Sequence, residues 1–188
     1  MQPAELLSQL EDSPIIAAVK SDEGLESCLA CGCRVVYILY GDILNIPGII
    51  SRIKDAGKAA IVHIDLIEGL AAKEIAVDFI AQTTLADGII STKAPLVRRA
   101  KADGLIAIQR FFLLDSLALQ NVERQIAEPD MVDILPGGVM PKIIRQLTAT
   151  IGKPLIAGGL LRNKEDVTDA LGAGATAVST TNESVWQL

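Results

Sequence analysis

Two loops near the C-terminal end carry the residue types best suited to holding a charged ligand. The chain reads Pro154-Leu155-Ile156-Ala157-Gly158-Gly159-Leu160, then a helix-spaced segment, then Ala175-Thr176-Ala177-Val178-Ser179-Thr180-Thr181-Asn182. Each is an apolar strand that ends in small residues. With little side chain in the way, backbone N–H groups can approach an anion closely. Two such loops in succession, at the end of a series of βα units, are where a (β/α)8 barrel holds a phosphate group. The pair points to a small phosphorylated ligand. Without that role, Gly158-Gly159 reads as a tight turn.

A second set of chemical groups lies at the ends of other apolar runs. Strand residues alternate faces, so parity groups them. Ile16, Ala18 and Lys20 share one face, as do Ile38, Tyr40 and Asp42, and likewise Ile61, His63 and Asp65. Ile106, Ile108 and Arg110 form another set, Asp133 goes with Leu135, and Lys93 follows the fourth run. If these faces point inward, one mouth gathers Lys20, Asp42, His63, Asp65, Lys93, Arg110 and Asp133. Charges on otherwise apolar strands are costly unless they are paired or serve a ligand. Plainer readings stand beside these. His63 also reads as a hydrogen-bonded core residue, Asp133 with Lys93 or Arg110 as a structural ion pair, and Lys20 as a solvated strand end.

Eight apolar runs must position these groups: Ile15–Lys20, Arg34–Asp42, Ala59–Leu66, Gly88–Thr92, Leu105–Phe112, Met131–Gly137, Pro154–Leu160 and Ala175–Thr181. Several are continuous, as strands buried on both faces should be. Helical spacing fills the gaps at Ile46–Ala56, Ala71–Gln82, Pro95–Ala102, Ser116–Ala127, Pro141–Thr150 and Lys164–Leu171. Pro47, Pro95 and Pro141 sit near helix starts, where a missing N–H does no harm. Ala56-Gly57, Ala86-Asp87-Gly88, Ala102-Asp103-Gly104 and Ala173-Gly174 form a weak repeat in which glycine closes a helix before a strand. A compact TIM-like (β/α)8 barrel, one α/β domain over residues 1–188, is the expected architecture, with a doubly wound open sheet as the alternative. The turn after Lys20 lacks the G-x-G-x-x-G of a dinucleotide fold. Ala4–Leu10 reads as an extra helix plugging the barrel bottom.

Bulk properties narrow the class. Half of the 188 residues are hydrophobic (50%) and only 3% are aromatic, which suits a core of Ile, Val, Leu and Ala. The net charge of -6 disfavours generic nucleic-acid binding, so any such contact must come from a local patch. The densest basic cluster is Arg98-Arg99-Ala100-Lys101, which also reads as a solvated helix face. The opening residues have no basic region followed by an apolar run, and no segment approaches the roughly 18 apolar residues of a membrane span. A cytoplasmic protein is expected. Cys28, Cys31 and Cys33 have metal-like spacing, but there is no fourth cysteine and the single histidine, His63, lies elsewhere. They read as free thiols at a helix end, with no metal and no cofactor expected.

Several segments together resemble one family. Pro14-Ile15-Ile16-Ala17-Ala18-Val19-Lys20, Tyr40-Gly41-Asp42-Ile43, Val62-His63-Ile64-Asp65-Leu66-Ile67-Glu68-Gly69 and Gly88-Ile89-Ile90-Ser91-Thr92-Lys93 are four of them. The others are Ile108-Gln109-Arg110-Phe111-Phe112-Leu113-Leu114-Asp115-Ser116, Asp133-Ile134-Leu135-Pro136-Gly137 and Ile156-Ala157-Gly158-Gly159-Leu160. From about Pro14 to Trp186 the chain resembles the glycerol-3-phosphate responsive antiterminators, the glycerol uptake operon antiterminator regulators. The resemblance implies a bacterial regulator with a TIM-like barrel. It would sense glycerol-3-phosphate and act on the leader mRNA of glycerol genes to prevent premature transcription termination. It also implies that the Gly158-Gly159 and Ser179-Thr180 loops hold the phosphate, and that Lys20, Asp42, His63, Asp65, Lys93 and Arg110 line the pocket.

Three functional classes follow. One is a ligand-gated RNA-binding regulator. Another is a barrel enzyme acting on a small phosphate ester, with Lys20 or Lys93 as amine and His63 or Asp65 as acid or base. The third is a phosphometabolite-binding module without RNA activity. Ionisable groups at a barrel mouth favour the enzyme. The resemblance puts the regulator first, because a sensor needs the same phosphate clamp without turnover.

Overall fold

Eight short strands pair in parallel, each with its sequence neighbour, and the last returns to the first. They are β1 (Ile15–Val19), β2 (Val35–Ile38), β3 (Ala59–His63), β4 (Gly88–Ser91), β5 (Ile106–Phe112), β6 (Met131–Leu135), β7 (Leu155–Gly158) and β8 (Ala177–Thr180). The structure is a computed structural model that describes residues 1–125 and 127–188. Closure rests on Ile15, Ile16 and Ala17 pairing with Val178, Ser179 and Thr180, which rules out the open sheet.

Helices α2 (Asp22–Ala30), α3 (Ile46–Asp55), α4 (Glu74–Thr83), α5 (Ala94–Ala102), α6 (Ser116–Gln125), α7 (Pro141–Thr150) and α8 (Lys164–Gly172) alternate with the strands. Ile126, inside the expected helix Ser116–Ala127, lies outside the described residues. In α3, Ile46, Ile49, Ile50 and Ile53 recur at helical spacing and are all buried against the strands. Gly57, Gly104 and Gly174 take left-handed backbone after α3, α5 and α8, as the repeat predicts. Gly88 departs from it: α4 already ends at Thr83, and Gly88 opens β4, where a Cβ would lie 2.5 Å from the Ile106 carbonyl oxygen.

Two apolar layers result. Val36, Ile38, Val62, Ile89, Val132 and Val178 pack outward against helices. Ile16, Ala18, Val35, Tyr37, Ile61, Ile90, Ile108 and Ile156 fill the barrel interior. The helix α1 (Pro3–Asp12) precedes β1 and inserts Leu6 and Leu10 into that interior, both fully buried, as expected for the Ala4–Leu10 plug. Each such burial contributes about 1.5–3 kcal/mol. After β8 a 3-10 turn (Val185–Gln187) lays Trp186 against the barrel, where its indole N–H donates to the Thr180 carbonyl at 2.8 Å. No helix is long and apolar enough to cross a membrane among the described residues.

The parity of the second strand needs correction. Tyr37 is the inward residue, paired with Ala18 and Ile61, which also face inward. Ile38 faces the helices, so the face assigned to Ile38, Tyr40 and Asp42 points outward. The run is apolar on both faces, and β2 ends at Ile38, before the polar residues used to set its parity.

Candidate functional site

The barrel mouth at the carboxyl ends of the strands holds a cavity of about 290 Å3, lined by Arg110, Gly159, Leu160, Leu161, Arg162, Ser179, Thr180, Thr181 and Asn182, with Ala18, Leu39 and Leu135 as apolar wall. The loop after β7 shapes it. Gly159 has φ +76° and Leu160 φ +58°, two consecutive left-handed residues. Glycine takes that conformation freely, whereas leucine does so at a cost of about 1–2 kcal/mol. The turn leaves the N–H groups of Leu160 and Leu161 without a hydrogen-bond partner among the described residues, and the Thr181 N–H likewise. Gly158 has to be small, because a Cβ there would lie 2.7 Å from the Ser179 hydroxyl oxygen and 3.4 Å from the Asp133 carboxylate.

The loop after β8 is braced to the one after β7. The Thr180 hydroxyl donates to the Leu161 carbonyl at 3.2 Å and accepts from the Asn182 N–H at 3.1 Å. The Asn182 side-chain amide donates to the Arg162 carbonyl at 2.9 Å. Unpaired amide donors on a rigid frame are what an anion site requires.

Below them is a buried polar group. Arg110 Nε and Nη2 donate to the two Asp133 oxygens at 2.9 and 3.3 Å, in bidentate geometry. Their side chains are 8% and 0% exposed, so each requires the other. The guanidinium carbon lies 5.8 Å from the centre of the Tyr37 ring. Burial works against the Arg110 charge, but Asp133 prevails and raises its pKa above the ordinary value. Burial raises Asp133, while Arg110 pulls it down. Burial, then the Asp133 charge, holds the Tyr37 hydroxyl well above its usual range, and so neutral. Two of the guanidinium's five N–H groups serve Asp133, and Arg110 lines the cavity with donors to spare.

On the β3–β4 side the polar residues turn toward one another. Asp65, in the 3-10 turn after β3, accepts from the Ser91 hydroxyl at 2.9 Å, the Thr92 N–H at 2.7 Å and the Thr92 hydroxyl at 3.0 Å. Lys93 Nζ is 3.9 Å from Asp65, and His63 Nδ1 is 4.0 Å away on its other side. Burial first, then the Arg110 charge, lowers the His63 pKa to about 4, so the imidazole is neutral at pH 7. Its Nδ1 is buried and has no hydrogen-bond partner among the described residues.

Of the residues singled out in the sequence, Arg110, Gly159, Ser179 and Thr180 line one cavity, backed by Gly158 and Asp133. His63, Asp65 and Lys93 form the neighbouring group. Lys20 follows the last residue of β1 and is exposed. Asp42 stands apart. Its carboxylate accepts from the Leu44 N–H at 2.7 Å, the Asn45 N–H at 2.9 Å and the Asn45 side-chain amide at 3.1 Å, which folds the β2–α3 loop.

Three comparisons bear on this site. Residues 15–186 match the glycerol-3-phosphate responsive antiterminator family. The chain belongs to that family. It is 45% identical over 185 residues to the uncharacterized protein YgcP of Escherichia coli (strain K12), covering 97% of this chain and 96% of that one. The crystal structure of the glycerol uptake operon antiterminator regulatory protein from Listeria monocytogenes is 31% identical, with a TM-score of 0.89 over 93% of this chain and 95% of that one. A glycerol uptake operon antiterminator-related protein from Thermotoga maritima is 35% identical, with a TM-score of 0.82 over 93% of this chain and 98% of its own.

An antiterminator family is one of regulators. Thr181 and Asn182 lie in the second loop but are not among the residues singled out for the ligand, and Arg162 lies two residues beyond the first loop. Tyr37 was hidden by the inverted parity of β2. The basic cluster on α5 is partly neutralised. Arg99 pairs with Asp78 at 2.6 Å and Asp103 at 3.2 Å, and Lys101 pairs with Asp130 at 3.1 Å. Of the three cations, Arg98 alone makes no ion pair among the described residues.

Proposed function

We propose that this antiterminator-family chain is a ligand-gated regulator that binds glycerol-3-phosphate in the mouth and acts on leader mRNA to prevent premature transcription termination. One observation supports the ligand assignment: Leu160, Leu161 and Thr181, whose N–H groups have no partner among the described residues, line the same 290 Å3 cavity as Arg110. Amide donors and a cation around one small open cavity suit a phosphate monoester. In this reading Gly158, Gly159, Ser179 and Thr180 shape the phosphate corner. His63, held beside Asp65 and Lys93, reads the glycerol hydroxyls. Lys20 adds positive charge at the rim.

The RNA assignment rests on family membership, and the α5 cluster is its candidate surface. There the RNA phosphates must compete with Asp78, Asp103 and Asp130 for Arg99 and Lys101. The barrel enzyme is the competing reading. The neutral His63 imidazole, whose buried Nδ1 has no partner among the described residues, favours it, because such a group can accept a proton. Incubating the purified chain with glycerol-3-phosphate and labelled leader RNA separates the readings. Ligand-dependent RNA retention without product is the expected result. Product formation would favour the enzyme, and ligand binding without RNA retention would favour the binding module.

A further inference from the structure

Two arginines line the mouth cavity, and the fold uses them differently. Arg110 is committed. Its guanidinium meets both oxygens of Asp133, the two side chains are 8% and 0% exposed, and its charge is balanced inside the protein. Arg162 has a fixed backbone and a loosely held head. Its N–H donates to Asp166 Oδ2 at 2.8 Å, and its carbonyl accepts from the Asn182 side chain at 2.9 Å. Its guanidinium makes a single polar contact among the described residues, from Nε to the same Asp166 oxygen at 3.3 Å, and the side chain is 72% exposed.

An exposed i,i+4 pair of this kind contributes little, so the guanidinium can leave Asp166 at small cost. Asp166 does not depend on it. The carboxylate keeps the Arg162 N–H, and it lies in the first turn of α8, where the helix favours a negative charge. The Asp166 N–H is held by the side chain of Asn163, the residue that caps the helix. The backbone of Arg162 therefore stays in place when its side chain moves.

The charge of the ligand gives this difference its meaning. A phosphate monoester carries about 1.5–2 negative charges at pH 7. Backbone amides and the balanced Arg110–Asp133 pair offer hydrogen bonds to its oxygens but no net charge. A dianion taken from water into such a site would be poorly compensated. Among the described residues that line the cavity there is no carboxylate, and Arg162 is the second cation.

We propose that Arg162 sets the charge specificity of the mouth, an inference that rests on reading the mouth as a phosphate site. On binding, its guanidinium leaves Asp166 for the phosphoryl oxygens, and the site thereby selects a dianionic phosphate monoester over a monoanionic ester of the same shape. The planar fork of an arginine suits two phosphoryl oxygens at once. The backbone donors of the two loops read the tetrahedral group, and Arg162 reads its second charge.

The test is calorimetric titration at pH 7 of the native chain, Arg162→Gln and Arg162→Lys. The probes are glycerol-3-phosphate and glycerol-3-sulfate, which has the same three terminal oxygens and one negative charge. The native chain should bind the phosphate at least about tenfold more tightly than the sulfate, the scale of one hydrogen bond between charged groups. Arg162→Gln should weaken the phosphate by about that factor and the sulfate far less, so that the preference disappears. Arg162→Lys keeps the charge and should keep most of the preference. The urea midpoints of all three proteins should agree, because the pair that is lost is exposed. Equal binding of the two esters by the native chain needs no variant and would overturn the role of Arg162. So would a preference that survives in Arg162→Gln, one that is lost in Arg162→Lys, or a Gln variant that weakens both esters alike. In each of these cases the phosphate site itself would stand. A native chain that binds no glycerol-3-phosphate would instead overturn the phosphate reading, and the role of Arg162 with it.

Discussion

At the β7–β8 corner of the mouth, three residues that line the cavity have backbone donors with no partner among the described residues. At the β3–β4 corner, Asp65 is held by three hydrogen bonds from Ser91 and Thr92. Both corners are rich in groups that could bind a ligand. They differ in how many of those groups the fold has already used. Where the donors are satisfied internally, the residues fix two loops to each other and present a formed wall. Where they are left open, on a turn with left-handed backbone at Gly159 and Leu160, the donors are free for the proposed phosphate. Asp42 belongs with the first kind, since its carboxylate serves the β2–α3 loop. Residue type alone does not separate the two kinds.

Removing the buried cation should break the contrast most severely. Arg110→Met leaves Asp133 buried without a partner, and urea unfolding at pH 7 should show a loss of about 3–5 kcal/mol. An unchanged midpoint would mean that Asp133 does not depend on Arg110.

The His63 side gives the next effect. Its pKa is about 4 in the folded chain against an ordinary histidine value of 6.5, so the unfolded chain binds the extra proton between those values. Stability is complete above about pH 6.5 and falls as pH drops toward 4, by on the order of 3 kcal/mol in full. His63→Gln should remove that part of the slope in unfolding measured at successive pH values. An identical slope would place the titration elsewhere.

A ligand analogue sharpens the division between the corners. Propane-1,2-diol phosphate keeps the phosphate and lacks one hydroxyl. If His63 and its neighbours read the hydroxyls, calorimetry should show the analogue binding at least about tenfold more weakly than glycerol-3-phosphate. Equal affinity would reduce the β3–β4 corner to a structural wall.

The smallest effect on the mouth should come from α5. Arg98→Ala, Arg99→Ala, Lys101→Ala should leave glycerol-3-phosphate affinity unchanged, because the helix lies outside the barrel. RNA binding should weaken, and its log–log salt slope should fall by about 0.7–0.9 for each lost phosphate contact. A wild-type slope would move the RNA surface elsewhere.

The strands were legible because parallel strands buried on both faces read as unbroken apolar runs. Their ends were overestimated where apolar character continues into loops, as in Arg34–Asp42, observed as Val35–Ile38. That overrun also reversed the parity of β2 and hid Tyr37. Gly158, Gly159, Ser179 and Thr180 were visible because a close approach to backbone demands small side chains. The donors of Leu160, Leu161 and Thr181 were not, because a free N–H depends on the path of the backbone and has no residue-type signature. The α5 cations looked available because Asp78 and Asp130 meet them only in the folded chain.

Calorimetric titration of glycerol-3-phosphate into the wild-type chain and into Gly159→Val tests the phosphate corner most directly. A β-branched residue at φ +76° must change the turn that leaves the Leu160 and Leu161 amides open. The expected result is saturable binding to the wild type and none to the variant, with the far-ultraviolet circular dichroism of the two unchanged. Equal affinity in the two proteins would contradict a phosphate site built on the loops after β7 and β8.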